Sequence, residues 1–386
     1  MRRLNELIQT LCPNGVPFVE LGTIAKGEKE RNKGKQCDLA FSITKGGLVK
    51  TSDYFKEATV TSEDTTGYKI VRKNWFVYSP SRIDVGSINY LRDEEMVIVS
   101  PLNVVFSISE DKILPQYLLY FLQSRFGTWQ ILTKREGIEG TGRKLLPFER
   151  FATIIVPLPP LEIQREVIKI LDVFQNLASE LTTELTARKK QYEHYRVRLF
   201  TFDENVRWVE LQEIADIGTG SSNTNEGLEE GKYPFFVRSQ EPLRKNEYEY
   251  DETAIITAGD GVGVGKVFHY VDGKYALHQR AYRIHINTPD VLPKYYFYYM
   301  KATFLNYIQK TMFHGSVASI RRPMLNAYPV PVPSIAEQKR IVAILDRFDT
   351  LCNDISAGLP AEIEARQKQY EYYRDKLFTF KEVSTC

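Results

Sequence analysis

Cysteine is scarce in this chain: 386 residues carry only Cys12, Cys37, Cys352 and Cys386. None forms a C-x-x-C pair, so the spacing offers no disulfide framework and no zinc ribbon. All four are expected as free thiols in a reducing compartment. The five histidines (His194, His269, His278, His285 and His314) have no zinc-ligand spacing with cysteine either. Long apolar runs are missing, and nothing approaches the roughly 20 residues that span a bilayer. The opening MRRLNELIQTLCPNG has no apolar core and does not read as a secretion signal. Together these absences predict a cytoplasmic protein without a metal. A dominant charge is also missing. The net charge is +2, so any contact with nucleic acid must rest on local charge.

Catalytic signatures are absent as well. The stretch TAGDGVGVGK (257–266) looks like a nucleotide loop, but from Gly259 the third glycine position is Val264. Lys266 is followed by Val267, not by the Ser or Thr of a Walker A loop. It reads instead as a glycine-rich turn and strand, near DNA or in plain loop chemistry. No Asn-Pro-Pro-aromatic or Asp-Pro-Pro-aromatic run is present, so an amino-methyltransferase site is not expected. Pro289-Asp290 is followed by no carboxylate before Glu337, so a nuclease metal site has no support. No catalytic residue is assigned.

What the chain does have is a duplication. ARKKQYEHYRVRLFTF (187–202) returns as ARQKQYEYYRDKLFTF (365–380), and VPLPPLEIQREVIKILDVF (156–174) returns as VPVPSIAEQKRIVAILDRF (330–348). Hydrophobic residues at 43% and aromatics at 12% mark a folded protein with room for two cores. The order is variable, constant, variable, constant. The expected boundaries are 1–156 and 206–329 for the variable heads, and 157–205 and 330–386 for the constant segments.

The constant segments read as helices. In the first copy, apolar positions from Ile163 to Leu199 recur at steps of three and four, a heptad stripe with one extra four-step. A helix of about 39 residues would be about 58 Å long. Ser334 and Glu337 suggest a capping box at the second copy. The offset between copies grows from 174 at Asp172/Asp346 to 178 at Gln191/Gln369. Gly358 and Pro360 fall in this four-residue insert, so a kink or break is expected there. The first copy carries a tandem four-residue unit instead, SELTTELT (179–186). The similarity of the copies predicts an antiparallel two-helix spacer with a pseudo-two-fold.

The heads share a frame: FVELGTIA (18–25) and WVELQEIA (208–215) open them, and LPQYLLYFLQS (114–124) and LPKYYFYYMKA (292–302) read as aromatic helices. Between these, strands are expected at 75–78, 96–99, 254–257 and 267–270. The predicted fold class is α+β, two strand-rich domains separated by long helices packed as a coiled coil.

Candidate DNA contacts follow from residue chemistry. Arg grips guanine O6 and N7, Asn and Gln grip adenine N6 and N7, and Lys with loop N–H groups holds phosphates. KGEKERNKGK (26–35) reads as a mobile basic loop offering Lys29, Arg31, Lys33 and Lys35. SPSRIDVGS (79–87) offers Arg82 and Ser87, and GTGRK (140–144) offers Arg143 and Lys144. In the second head the candidates are Ser221 and Asn223, Arg238 and Gln240, Lys266, and Gln279 and Arg280. HGSVASIRR (314–322) adds Ser316, Arg321 and Arg322 within an acid-free stretch from 291 to 336.

The whole pattern resembles the specificity subunits of type I restriction-modification enzymes, through the P-L-P-P-L-E-x-Q-like entry at 157–164 and ARQKQYEYYRDKLFTF. The tandem unit is similar to the subgroup whose spacer length varies with such repeats. The resemblance implies a non-catalytic subunit whose two target-recognition domains each read half of a bipartite, asymmetric site in double-stranded DNA. It implies two methyltransferase subunits bound around the helices and recognition domains, with Leu171, Phe174, Tyr192, Tyr195, Leu345, Phe348, Tyr370 and Tyr373 as the helix positions for them. It also implies two restriction subunits. S-adenosylmethionine, ATP and Mg would be used by those partners, with no cofactor in this chain. A coiled-coil scaffold that reads no DNA, and a specificity subunit of a methylation-only system, remain open alternatives.

Overall fold

The computed structural model describes residues 2–55, 63–137, 144–311, 319–354 and 356–383. The chain forms two compact units, Met1–Glu180 with Ile363–Cys386, and Leu181–Glu362.

The heptad stripe of the first constant segment produces one 38-residue helix, Leu161–Arg198, which belongs in part to each unit. In the first unit its Ile163, Val167 and Leu171 are fully buried. They share a core with Tyr117, Leu118 and Phe121 of the aromatic helix Pro115–Gln123, and with Tyr370 and Leu377 of the last helix. Phe174 stacks on Tyr373 at 4.9 Å. In the second unit Tyr192 and Tyr195 meet Phe348 at 6.0 and 5.6 Å, while Ile341 and Leu345 are buried with the aromatic helix Pro293–Thr311.

The second constant segment is two helices, Ile335–Asn353 and Leu359–Leu377. The expected break is present. Asp354 accepts from the backbone N–H groups of Ser356 and Ala357. Pro360 falls in the first turn of the following helix, where its missing N–H costs nothing. At the other end, half of the expected capping box forms. Ser334 accepts from the Glu337 N–H, but the Glu337 carboxylate turns to Arg340 instead, at 2.6 and 2.7 Å. A guanidinium one turn along offers two charge-assisted bonds where the backbone offers one.

Each head is closed at its base by its own first and last strands. Phe18–Glu20 pairs antiparallel with Ile155–Pro157, and Arg207–Glu210 with Pro329–Val332. This is the physical content of the shared frame. Above the base the heads differ. The first carries two four-stranded sheets. One orders Ala25–Glu28, Val104–Ile108, Phe76–Tyr78 and Ile88–Tyr90. The other orders Gly47–Lys50, Ala40–Thr44, Met96–Val99 and Lys69–Arg72. The second head has a six-stranded sheet, in which Tyr250–Ala258 and Phe268–Leu277 form a long hairpin flanked by Ala281–Ile286 and Tyr233–Phe236.

A glutamine in each constant segment ties the head to its helix. Gln164 accepts from the Leu114 N–H at 2.9 Å and donates to the carbonyls of Lys112 and Pro159, both at 2.8 Å. Gln338 repeats this with the Leu292 N–H at 2.8 Å and the carbonyls of Asp290 and Pro333 at 3.0 and 2.8 Å. Both side chains are fully buried. A tyrosine–aspartate bond repeats too, Tyr120 to Asp172 and Tyr298 to Asp346, each 2.6 Å. Among the described residues Cys12, Cys37 and Cys352 are free thiols, and no helix is long and apolar enough to cross a membrane.

Candidate nucleic-acid interface

The second head brings together candidates that lie far apart in sequence. The Ser222–His278 bridge joins the turn after Ala215–Thr219 to the turn after Phe268–Leu277. There Gln279 donates its amide to the Asn223 side chain. Both residues are exposed, as is Ser221, whose N–H is held by Glu249 at 2.9 Å. Beside them Arg238 and Arg280 both donate to Asp260, at 2.7 and 3.1 Å. Gln240 is exposed in the same turn as Arg238. The arginine and amide groups therefore converge on one polar rim.

Not every candidate joins it. Lys266 and Arg321 are exposed, with no bond to the rim among the contacts of the described residues. The Arg322 guanidinium donates to the Ile217 carbonyl, so one edge of it is spent on the fold. Ser316, with Arg143 of the first head, lies outside the described residues.

Burial shapes the charge of the rim. Asp260 is driven upward by desolvation, but its bonds from Arg238 and Arg280 outweigh this and hold its carboxyl below the usual range. His278 is held below the ordinary histidine value of 6.5, first by burial and then by the charge of Arg238. Its Nδ1 accepts from the Arg280 N–H at 2.9 Å, which needs a neutral ring. In the unfolded chain this histidine binds its proton more readily than in the folded one. The stability it contributes is complete above about pH 6.5 and is lost as pH falls from there toward the depressed folded value. NMR titration of His278 should give a midpoint below 6.5 and a shift of the Arg280 amide with the same midpoint. A midpoint at or above 6.5 contradicts the bond.

The first head differs from expectation in two places. The basic stretch is not a free loop: Ala25–Glu28 is a strand paired with Val104–Ile108, Arg31 donates to the Gly67 carbonyl at 2.5 Å, and Asn32 is fully buried on Cys37. The interruption of the lysines by Gly27 and Asn32 allows this packing. Lys29, Arg31, Lys33 and Lys35 nonetheless stay exposed. Ser87 is 2% exposed, and its carbonyl accepts from Ser79. A hydroxyl without surface cannot meet DNA, so Ser87 belongs to the packing of the head, contrary to expectation. Arg82 is exposed at a cavity of about 330 Å³ shared with Ser79, Tyr54, Ser100 and Asn103. Lys144 is exposed on the short strand Lys144–Leu145.

Sequence reasoning missed Lys69 and Asp260. Lys69 is depressed by desolvation and by the nearby charges of Arg31 and Lys29, and its ammonium donates to the Asn103 carbonyl at 2.6 Å. Its signal was hidden because it lies on a strand, not in a basic run. The helix positions expected to meet methyltransferase subunits differ in exposure. Leu171 and Leu345 are fully buried within this chain and offer another subunit no surface, while Tyr192 and Tyr370 keep only 6% and 8% exposed. Phe174, Phe348 and Tyr373 are partly covered by the ring contacts described above, and Tyr195 is 36% exposed.

Two strand-rich heads, each closed at its base and clamped onto helical segments, define a duplicated recognition protein. The comparisons agree with that plan. The chain matches the type I restriction modification DNA specificity domain twice, over 14–189 and 203–365. It is 36% identical to the specificity subunit of the type I restriction enzyme EcoR124I/EcoR124II from Escherichia coli, covering 74% of this chain and 76% of that one. It is 32% identical to a putative type I restriction enzyme specificity subunit from Haemophilus influenzae, covering 63% and 68%. Among solved structures, the S subunit of a type I restriction-modification system from M. genitalium aligns with a TM-score of 0.57 at 15% identity, over 94% of this chain and 96% of that one. A chain from a type I R-M system solved for its complex assembly and conformational transition aligns at 0.61 and 17%, over 95% and 98%. The chain belongs to the specificity-subunit family of type I restriction-modification systems.

Proposed function

We propose that this chain is the DNA-recognition subunit of a type I restriction-modification complex and that it carries no chemistry of its own. The observation that carries the reading is the double occurrence of the specificity domain in one chain, with different sheets in the two heads. Two different readers on one chain suit a bipartite, asymmetric site. Residues 1–156 read one half and 206–329 the other. The constant segments 157–205 and 330–386 set the gap and bind two methyltransferase subunits, and two restriction subunits complete the assembly. S-adenosylmethionine, ATP and Mg belong to those partners, and the complex works in the cytoplasm. The exposed Lys29, Arg31, Lys33 and Lys35 supply sequence-independent grip on phosphates, and the Arg238–Arg280 rim supplies base reading.

The test is the methylated-base map of DNA from cells expressing this chain with its partner methyltransferase. The expected result is a two-part motif with N6-methyladenine in both parts and a fixed unspecified gap. A short continuous motif would mean that one head alone reads, and no motif at all would favour a scaffold.

A further inference from the structure

The glycine-rich turn at 259–263 resembles no nucleotide loop, yet its glycines have a structural cause. A Cβ on Gly259 would lie 2.7 Å from the Arg280 carbonyl oxygen, and one on Gly263 would lie 2.6 Å from that of Arg238. The turn is therefore seated between the two backbone segments that carry these arginines. From it Asp260 reaches both guanidinium groups, one on each carboxylate oxygen. Asp260 is largely shielded, with 20% of its side chain exposed, while Arg238 and Arg280 keep 41% and 63%. Val262, at the tip, is 97% exposed. Arg238, Asp260 and Val262 line an open cavity of about 480 Å³.

This arrangement has a chemical consequence. Two neighbouring guanidinium groups repel each other, and each free arginine carries about 2 kcal/mol of rotamer entropy. A carboxylate between them removes the repulsion and fixes both. Each guanidinium has five N–H donors and gives one to Asp260, so each retains enough for a bidentate grip. Guanine presents O6 and N7 to such a pair of donors. Because both arginines share one carboxylate, their targets must be close, and stacked base pairs are about 3.4 Å apart.

We propose that Asp260 is a positioning residue that holds Arg238 and Arg280 as one paired reader of two guanines lying within two base-pair steps in the half-site read by residues 206–329. This rests on the DNA-reading function proposed above and adds the bases and the group that sets them.

The experiment uses the complete chain with its methyltransferase partner and duplexes carrying the mapped site, with each base pair of that half replaced in turn. In the unaltered complex, replacing either guanine should weaken binding by roughly tenfold to a hundredfold. Arg238→Ala and Arg280→Ala should each abolish discrimination at one of the two positions. Asp260→Asn, of nearly the same shape, should reduce discrimination at both together by about tenfold, leaving the remaining positions of the same half unchanged. Those unchanged positions report that the head is still folded. Asp260→Asn with full discrimination at both guanines overturns the proposal. So does a half-site without two guanines so spaced, while the bipartite reading stands. Absence of any sequence preference in the unaltered complex overturns the DNA-reading function itself.

Discussion

Repeating one four-residue unit in the first helix, by duplicating SELT at 179–182, should lengthen the unspecified gap of the recognised site by one to two base pairs. The insert falls inside Leu161–Arg198, which is helical throughout. Of 179–186 only Leu181 and Leu185 are partly covered, and the rest is exposed. Four added residues extend the helix by about 6 Å and rotate its C-terminal turns by about 40°. That rotation is the same slip already present in the stripe as an extra four-step, so the apolar face stays nearly in line. Base pairs are about 3.4 Å apart, which converts the added length into one or two of them. Binding to the original site should fall by about 10³-fold or more, because one half is then out of register and the remaining affinity approaches the nonspecific level. The methylated-base map of the variant reads this directly, and an unchanged gap would sink the spacer role. A two-residue insert is the control. It rotates the turns after the insert by about 200° against those before it, takes the apolar stripe after residue 182 off the line of the stripe before it, and should abolish recognition at every gap length.

The helices were legible in the sequence because a 3.5-residue period with charged flanks admits one reading, and the break was legible because Gly358 and Pro360 are poor helix interiors. The strands at 76–78, 96–99, 250–258 and 268–277 were legible from their apolar, β-branched and aromatic runs. Their partners were not. The parallel pairing of Phe235 and Phe236 with Ala276 and Leu277 joins residues 41 positions apart, and no local pattern encodes it. The same limit governs the rim. Arg238, Gln279 and Arg280 were visible as reading chemistry, but the group that joins the two arginines is an acid inside a glycine run. An acid argues against DNA until its partners are known. The stripe residues show the converse limit. Periodicity says which face of a helix is apolar, not which chain covers it, and here Leu171 and Leu345 are covered by their own heads.

Replacing Gln338 with Met should lower the melting temperature of the second unit by roughly 10 °C, well beyond what its size suggests. Methionine keeps most of the volume, so packing changes little. What it removes is three bonds to backbone groups that make no other hydrogen bond among the described residues: the Leu292 N–H and the carbonyls of Asp290 and Pro333. A buried donor or acceptor left unsatisfied costs about 1–3 kcal/mol. With some relaxation the sum is about 3 kcal/mol, and for a unit of this size each kcal/mol moves Tm by about 2–4 °C. Arg340→Ala is the contrast. It breaks a two-bond ion pair with Glu337 on the same turn, but that pair is solvent-exposed and should shift Tm by only about a degree or two. Hydrogen exchange locates the effect, with the Leu292 amide losing protection first. Because Gln164 makes the same three bonds in the first unit, Gln164→Met should reproduce the loss there, at the Leu114 amide. Equal melting of Gln338→Met and the unaltered chain would mean that water can replace the amide. The glutamine shared by LEIQ and IAEQ would then need a cause other than clamping a recognition head to its helix.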